Sequence, residues 1–241
     1  MVDKKAFLDE YSSTYNPDDT FKDFDALFKK HHVESISKNL KGSQILELGC
    51  ASGYSTKLLD EFGYEITVVE GSLNYISMAQ KKYEFNNVNF INSLWEEYTA
   101  DEKFTDVLLV DSLQLVDDRK ELLLRISKML INKGRLHLIV PNNNSFHRIL
   151  GKEMQIISSL DSESTRDRQV KARQNMNWRV IRELVEDCDF KIINEEGILF
   201  KLFDNHKMLN LDAEIVNALF KLGNKFKDNA AHIYVCCEKN D

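Results

Sequence analysis

Two short stretches carry residue types suited to holding a nucleotide-like ligand. Glu47-Leu48-Gly49-Cys50-Ala51-Ser52-Gly53 lies between an apolar run, Gln44–Leu48, and a helical pattern. Glycines at such a junction let the backbone turn tightly and approach a ligand, and the helix start supplies free N–H groups. A dinucleotide site asks for G-x-G-x-x-G with a pyrophosphate on that helix end. Ala51 and Tyr54 stand where the second and third glycines belong, which disfavours a nicotinamide dehydrogenase. Glu70 ends the next apolar run, 17 residues after Gly53. A carboxylate there can accept both hydrogens of a ribose diol through charge-assisted bonds.

The elements that must position these groups alternate. Strands are predicted at Gln44–Leu48, Glu65–Val69, Val88–Ile91, Asp106–Val110 and Gly134–Val140, and helices at Ser52–Phe62, Leu73–Tyr83 and Asp118–Leu130. Asn132-Lys133-Gly134 reads as a turn that stops the last of these helices. Such alternation implies an α/β fold, a doubly wound parallel sheet covered on both faces. Ligands then bind at the carboxyl ends of the strands, which directs attention to Gly49–Gly53, Glu70, Ser93 and Asp111. Residues 141–180 break the rhythm and predict helices and loops over the sheet. After them come a helix over Asn177–Cys188, a long strand or hairpin arm over Phe190–Phe203, a helix over Leu211–Phe226 and a strand over His232–Cys237. Phe24, Leu27, Phe28, Ile36 and Leu40 recur at helical spacing and predict one or two N-terminal helices. The two prolines, Pro17 and Pro141, mark no linker, so one domain is expected.

The E-x-G-x-x-x-G turn followed by Glu70 resembles motif I and the ribose-binding acid of class I S-adenosylmethionine-dependent methyltransferases, over about residues 44–140. The resemblance implies a Rossmann-like, mostly parallel seven-stranded sheet with its last strand antiparallel. It also implies a helical cap inserted after the fifth strand at 141–182, N-terminal helices at 1–43 and a return to the sheet at 183–241. The cofactor implied is S-adenosylmethionine, with S-adenosylhomocysteine as product. Glu47, Gly49, Cys50, Ala51 and Gly53 would underlie its amino-acid and ribose part. Glu70 and Gly71 would hold the ribose, and Ser93 and Leu94 the adenine. Asp111 and Ser112 would lie where the methyl group meets its acceptor. A narrower likeness joins Val140-Pro141-Asn142, Ser145–Gly151, Phe200-Lys201 with Asn205, and His232-Ile233-Tyr234-Val235. These are similar to blocks (roughly VPN, SLHRRLG, FFKPL-x-N, EIYVVCE) of methyltransferases encoded with bacterial surface-polysaccharide genes. It implies O-methylation of a capsule precursor, with Asn142, Lys201 and Asn205 near the substrate. Many of those relatives carry H-V-L-E-H after the fourth strand; Asp111-Ser112-Leu113-Gln114-Leu115 stands in its place, so no general base follows from that block.

Methyl transfer from a sulfonium is an in-line displacement in which positioning supplies most of the acceleration, and a hydroxyl acceptor benefits from a general base. His147, in the segment leaving the fifth strand, is the first candidate, and Asp111 the second. His137 lies inside a strand and reads as structural; His31-His32 remains unassigned. Residues 141–182 hold eight Lys/Arg against four Asp/Glu, while the whole chain carries −7. A basic cap over an acidic body suggests a small anionic substrate, phosphorylated or nucleotide-linked. Arg148, Arg166 and Arg173 are candidate phosphate clamps; the competing reading is a solvated helix face.

The acidic balance disfavours nucleic acid as a partner, and only Phe146 and Trp178 offer stacking faces in the basic segment. An RNA methyltransferase is therefore an alternative, as is a catalytically impaired S-adenosylmethionine-binding module. No metal is expected: the cysteines, Cys50, Cys188, Cys236 and Cys237, lack CxxC spacing, and Asp117-Asp118 reads as a helix cap. The opening residues show no apolar signal region, and no apolar run is long enough for a bilayer, so a cytoplasmic protein without membrane partners is expected. Oligomeric state is not readable from the sequence.

Overall fold

The computed structural model describes residues 4–13, 24–100, 102–163, 168 and 176–241. Seven strands form one sheet: β1 (Gln44–Leu48), β2 (Glu65–Glu70), β3 (Val88–Asn92), β4 (Phe104–Val110), β5 (Leu130–Pro141), β6 (Phe190–Ile198) and β7 (His232–Lys239). Their order is β3-β2-β1-β4-β5-β7-β6. β1 to β5 run parallel, and β7 runs antiparallel between β5 and β6. This is the expected sheet with its last strand reversed.

The order switches at β1, where the chain moves first towards β3 and then back through β4. Strands on either side of that point send their loops in opposite directions, which opens a crevice at their carboxyl ends. Helices cover both faces. α5 (Arg119–Met129) and α7 (Trp178–Glu186) pack Leu122, Ile126, Ile181 and Val185 against Leu46, Leu48, Leu109 and Leu138. On the other face α2 (Phe24–Ser37) and α9 (Ala213–Lys225) pack Phe24, Phe28, Ile36, Leu219 and Phe220 against Ile45, Leu108, Ile139 and Tyr234. Alternate residues of one strand thus enter different cores, as a two-residue period requires. Cys237 lies in the first core and Cys236 in the second. Other helices among the described residues are α1 (Lys4–Tyr11), α3 (Tyr54–Asp60), α4 (Leu73–Lys82), α6 (Phe146–Glu153) and α8 (Asn205–Met208).

Three boundaries differ from the sequence reading. The turn expected at Asn132-Lys133-Gly134 is an irregularity within β5. Leu130 already pairs with Phe104 while the next partners are Asp106 and Arg135, so the extra residues loop out and Lys133 takes φ +56°. The arm at 190–203 ends at Ile198, because Leu199 turns to φ +63°. α7 buries Trp178, Ile181 and Val185 in the main core, so residues from Trp178 onward belong to the sheet packing and not to the cap. Among the described residues no helix is long and apolar enough to cross a membrane.

Candidate active site

The glycine turn folds as its sequence demands. Gly49 takes φ +87°, and a β-carbon there would lie 2.8 Å from the Trp95 ring. Its N–H donates to the Val69 carbonyl at 2.9 Å, and the Trp95 indole donates to the same oxygen at 3.2 Å. The turn is thereby pinned to β2, and Ala51 follows at φ +47°. Non-glycine residues at positive φ are uncommon and concentrate at functional sites; Asp111, at φ +51°, is a second.

Glu70 ends β2 and is buried. Its Oε2 accepts the Cys50 N–H at 3.1 Å and its Oε1 accepts the Ser72 N–H at 2.9 Å. Burial raises its pKa, and backbone N–H groups oppose that rise. The Ala51 and Gly71 N–H groups act on it as well, and it lines a cavity of about 500 Å³, a size typical of cofactor sites. One end is bounded by Gly49, Ala51, Glu70, Gly71, Leu94 and Trp95, the other by Pro141, Asn142, His147, Arg148, Lys201, Asn205 and His232. Asp111 and Ser112 also line it.

α1 lies along the first end. A β-carbon on Gly71 would meet Leu8 at 2.5 Å and Leu94 at 3.2 Å. Asp9 Oδ1 accepts from the Ser72 hydroxyl at 2.6 Å and the Asn74 N–H at 3.2 Å, and Lys4 pairs with Glu96.

Gly49, Ala51, Glu70, Gly71, Leu94, Asp111 and Ser112 therefore line the cavity, and four other residues assigned to the cofactor do not. Glu47 is buried with its Oε2 accepting from the Thr56 hydroxyl at 2.6 Å; burial pushes its pKa up to about 7. Cys50 is buried, and burial with the nearby Glu70 and Glu47 holds it as a thiol. Gly53 caps α3 against Ala79. The Ser93 hydroxyl turns back to the Leu94 carbonyl at 3.1 Å.

At the other end, Asn142 is committed to the backbone. It donates to the Asp228 and Ala230 carbonyls at 3.0 and 2.9 Å and accepts from the Asn144 N–H at 3.0 Å. Arg148 donates to the Leu160 and Ser162 carbonyls. Lys201 donates to Asn205 at 2.6 Å, and Asn205 donates to Asp25 at 2.9 Å. Arg166 and Arg173 lie outside the described residues. Two other basic residues of that segment serve the surface: Arg182 grips Glu195 bidentately at 2.6 and 2.8 Å, and Arg179 faces Glu183 one turn on. Phe146 stacks on Phe200 with centroids 4.9 Å apart.

His147 reaches the cavity, but burial and the neighbouring Lys201, Arg148 and His232 push its pKa down to about 2. An imidazole so weakly basic binds a proton poorly. His137 is structural, as its place in a strand implied, bonded to Tyr234 at 3.0 Å and Asp106 at 2.9 Å. Asp118 caps α5 through the Glu121 N–H at 2.9 Å.

Sequence reasoning passed over two residues. His32 Nε2 lies 2.8 Å from His232 Nδ1. Asp111 approaches both rings, with Oδ2 3.8 Å from His32 Nδ1 and Oδ1 3.8 Å from His232 Nε2. The His31-His32 doublet was the available signal. In the fold His31 stacks on Phe220, while His32 points inward.

A glycine turn after β1, an acid ending β2 and a reversed β7 beside β5 define the fold of class I methyltransferases. Residues 46–138 match the family model described as "Methyltransferase domain". A ubiquinone biosynthesis O-methyltransferase of Rickettsia bellii (strain OSU 85-389) is 22% identical over 188 residues, covering 77% of each chain. A SAM-dependent methyltransferase from Archaeoglobus fulgidus superposes with a TM-score of 0.62 at 16% identity, over 92% of this chain and 97% of the other. Magnesium protoporphyrin IX methyltransferase from Synechocystis PCC 6803, solved with bound SAH, gives 0.59 at 15% identity, over 89% and 83%. The protein is an S-adenosylmethionine-dependent methyltransferase. The first end of the cavity fits that cofactor, since the buried Glu70 carboxylate lines it beside a backbone turn with no side chain at Gly49. The cofactor supplies an activated methyl group on a sulfonium.

Proposed function

We propose that the protein methylates a hydroxyl of a small anionic acceptor, a phosphorylated or sugar- or nucleotide-linked precursor of a surface polysaccharide. The observation that carries this reading is the continuity of the cavity. One cavity is lined by Glu70 and Asp111 and also by His147, Arg148, Lys201 and His232. An acceptor there meets cations at one side and the donor methyl at the other. Its size suits a small molecule and not a polymer. Lys201 and Lys29 also line the cavity. Neutral His147 serves as a hydrogen-bonding wall of the compartment. The names of the Rickettsia relatives support oxygen as the accepting atom and favour a phenolic hydroxyl as the second reading. The polysaccharide setting is supported by the Val140-Pro141-Asn142, His147-Arg148 and Phe200-Lys201-x-x-x-Asn205 blocks alone.

The test has two stages. Calorimetric titration with S-adenosylmethionine and S-adenosylhomocysteine, with NAD as control, reads the donor half. Release of S-adenosylhomocysteine is then followed with phosphorylated sugars, nucleotide sugars and phenols. Turnover of an anionic sugar with micromolar donor binding supports the proposal. Turnover of uncharged phenols only would replace the acceptor class, and donor binding without turnover of any acceptor would favour a binding module.

A further inference from the structure

We infer that Trp95 is a positioning residue of the donor site, holding the Gly49 turn in the shape that receives S-adenosylmethionine. The assignment concerns the donor end of the cavity alone and does not depend on which acceptor is methylated.

Three strand ends supply the donor end. Gly49 and Ala51 follow β1, Glu70 and Gly71 close β2, and Leu94 follows β3. Beyond the last ladder bond, each loop needs contacts of its own to hold a fixed shape. Trp95, next to Leu94, makes such contacts with the other two strand ends. Its indole N–H donates to the Val69 carbonyl on β2 at 3.2 Å, and the Gly49 N–H donates to the same oxygen at 2.9 Å. A carbonyl has two lone pairs, and these two donors use both. The ring also fills the space beside Gly49: a β-carbon there would lie 2.8 Å from Cζ2 and 3.6 Å from Cε2.

The loop that carries the ring is itself held. The Ser93 N–H donates to the Glu70 carbonyl at 3.2 Å, and the Asn92 amide donates to the Glu70 and Gly71 carbonyls at 3.0 Å each. The Tyr98 N–H closes the turn on the Leu94 carbonyl at 3.0 Å. Trp95 packs against the main core and also lines the cavity. It therefore links the packed sheet to the glycine turn. The turn needs such a brace. Gly49 at φ +87° and Ala51 at φ +47° are both left-handed, a conformation that alanine keeps only where its surroundings enforce it. Without the indole N–H, the Val69 carbonyl keeps one partner, which a backbone oxygen tolerates, so the sheet survives. Without the ring, the space beside Gly49 opens and the turn can relax. The loss then falls on donor affinity, because a disordered turn must be reordered on binding.

Trp95→Phe keeps an aromatic ring and removes the N–H, while Trp95→Leu removes both. Calorimetry with S-adenosylhomocysteine should give a Kd raised about threefold or more in the first and about tenfold or more in the second. Leu184 packs against the same core and does not line the cavity. Leu184→Ala should therefore lower the denaturant midpoint and leave Kd unchanged. Amide hydrogen exchange of the free proteins separates bracing from ligand contact. Exchange at Gly49 should speed up in both Trp95 variants by a larger factor than at Leu109 and Leu138, in the sheet interior. A Kd for Trp95→Leu equal to that of the parent overturns the proposal. So does an equal rise in Kd for Leu184→Ala, because affinity would then follow global stability. A raised Kd with unchanged exchange at Gly49 also overturns it, since Trp95 would then act by touching the ligand and not through the turn. If Trp95→Leu fails to fold, Trp95→Phe decides alone: its Kd and its Gly49 exchange rate must both rise.

Discussion

Two N–H bonds from Cys50 and Ser72 orient the Glu70 carboxylate at the cavity wall, where we propose that it holds the ribose diol of the cofactor. Replacing Glu70 with Ala should raise the Kd for S-adenosylhomocysteine at least tenfold, since a hydrogen bond to a charged group is worth about 1.5–3 kcal/mol. Calorimetry on folded variant checks this, and unchanged affinity would remove the ribose assignment. Glu70 was legible in the sequence because the strand end and the glycine turn are local features whose meeting follows from a parallel sheet. The His32–His232 contact was not legible. Its partners stand 200 residues apart, and their meeting depends on how α2 docks beside β7. Asn142 shows the opposite failure. A polar residue after a core strand invites a ligand role, yet its amide is consumed by the backbone of the loop before β7.

At the scale of elements, the regular βα units were readable from periodicity, and the deviations were not. Nothing in Asn132-Lys133-Gly134 says that Leu130 already pairs with Phe104, because Leu130 is held there by burial in the main core. α1 was read only as part of a mixed N-terminal region. In the structure none of its residues is buried, and it is tied to the cavity edge by Leu8, Asp9 and Lys4. So small an anchor makes α1 the element most easily released. Leu8→Ala combined with Asp9→Ala should speed dissociation of S-adenosylhomocysteine severalfold with little change in Tm. Stopped-flow quenching of Trp95, which lines the cavity, reads the rate; an unchanged rate would show that α1 does not cover the ligand. The pairing of α9 with β6 is of the opposite kind. A β-carbon at Gly223 would lie 2.3 Å from the Leu199 nitrogen and 2.7 Å from the Gly197 oxygen. Both neighbours are backbone and cannot rotate aside. Gly223→Ala should therefore cost about 1–3 kcal/mol, seen as a lower denaturant midpoint. A variant as stable as the parent would mean that α9 slides freely over the sheet.

The whole molecule carries its acidic groups inside as well as outside, and this sets its response to pH. Asp106 is buried on β4; burial alone would raise its pKa, but the His137 hydrogen bond and charge and the Lys41 N–H outweigh that and lower it. A lowered carboxyl pKa contributes stability that is present above the unfolded value and lost as the pH falls through the folded one. Glu47 acts in the other direction. It sits on β1, an interior strand of the sheet, where burial pushes it up to about 7 from an ordinary 4.5 and the Thr56 hydroxyl only partly compensates. Its protonated form is the one the fold favours. The associated stability is complete below about pH 4.5 and is lost progressively as the pH rises to about 7, for a total of about 3 kcal/mol. The free protein should therefore be more stable near pH 5 than near pH 8. Glu47→Gln keeps the shape and a partner for Thr56 but has no proton to lose. The gap in unfolding free energy between the two pH values should shrink by about 3 kcal/mol in this variant, mainly through a gain at pH 8. Urea titrations of both proteins at both pH values measure the difference directly, and titrations common to the two chains cancel in the comparison. An identical gap in the two proteins would mean that Glu47 is ionised in the fold at neutral pH, with a counter-charge reaching it from the cavity side.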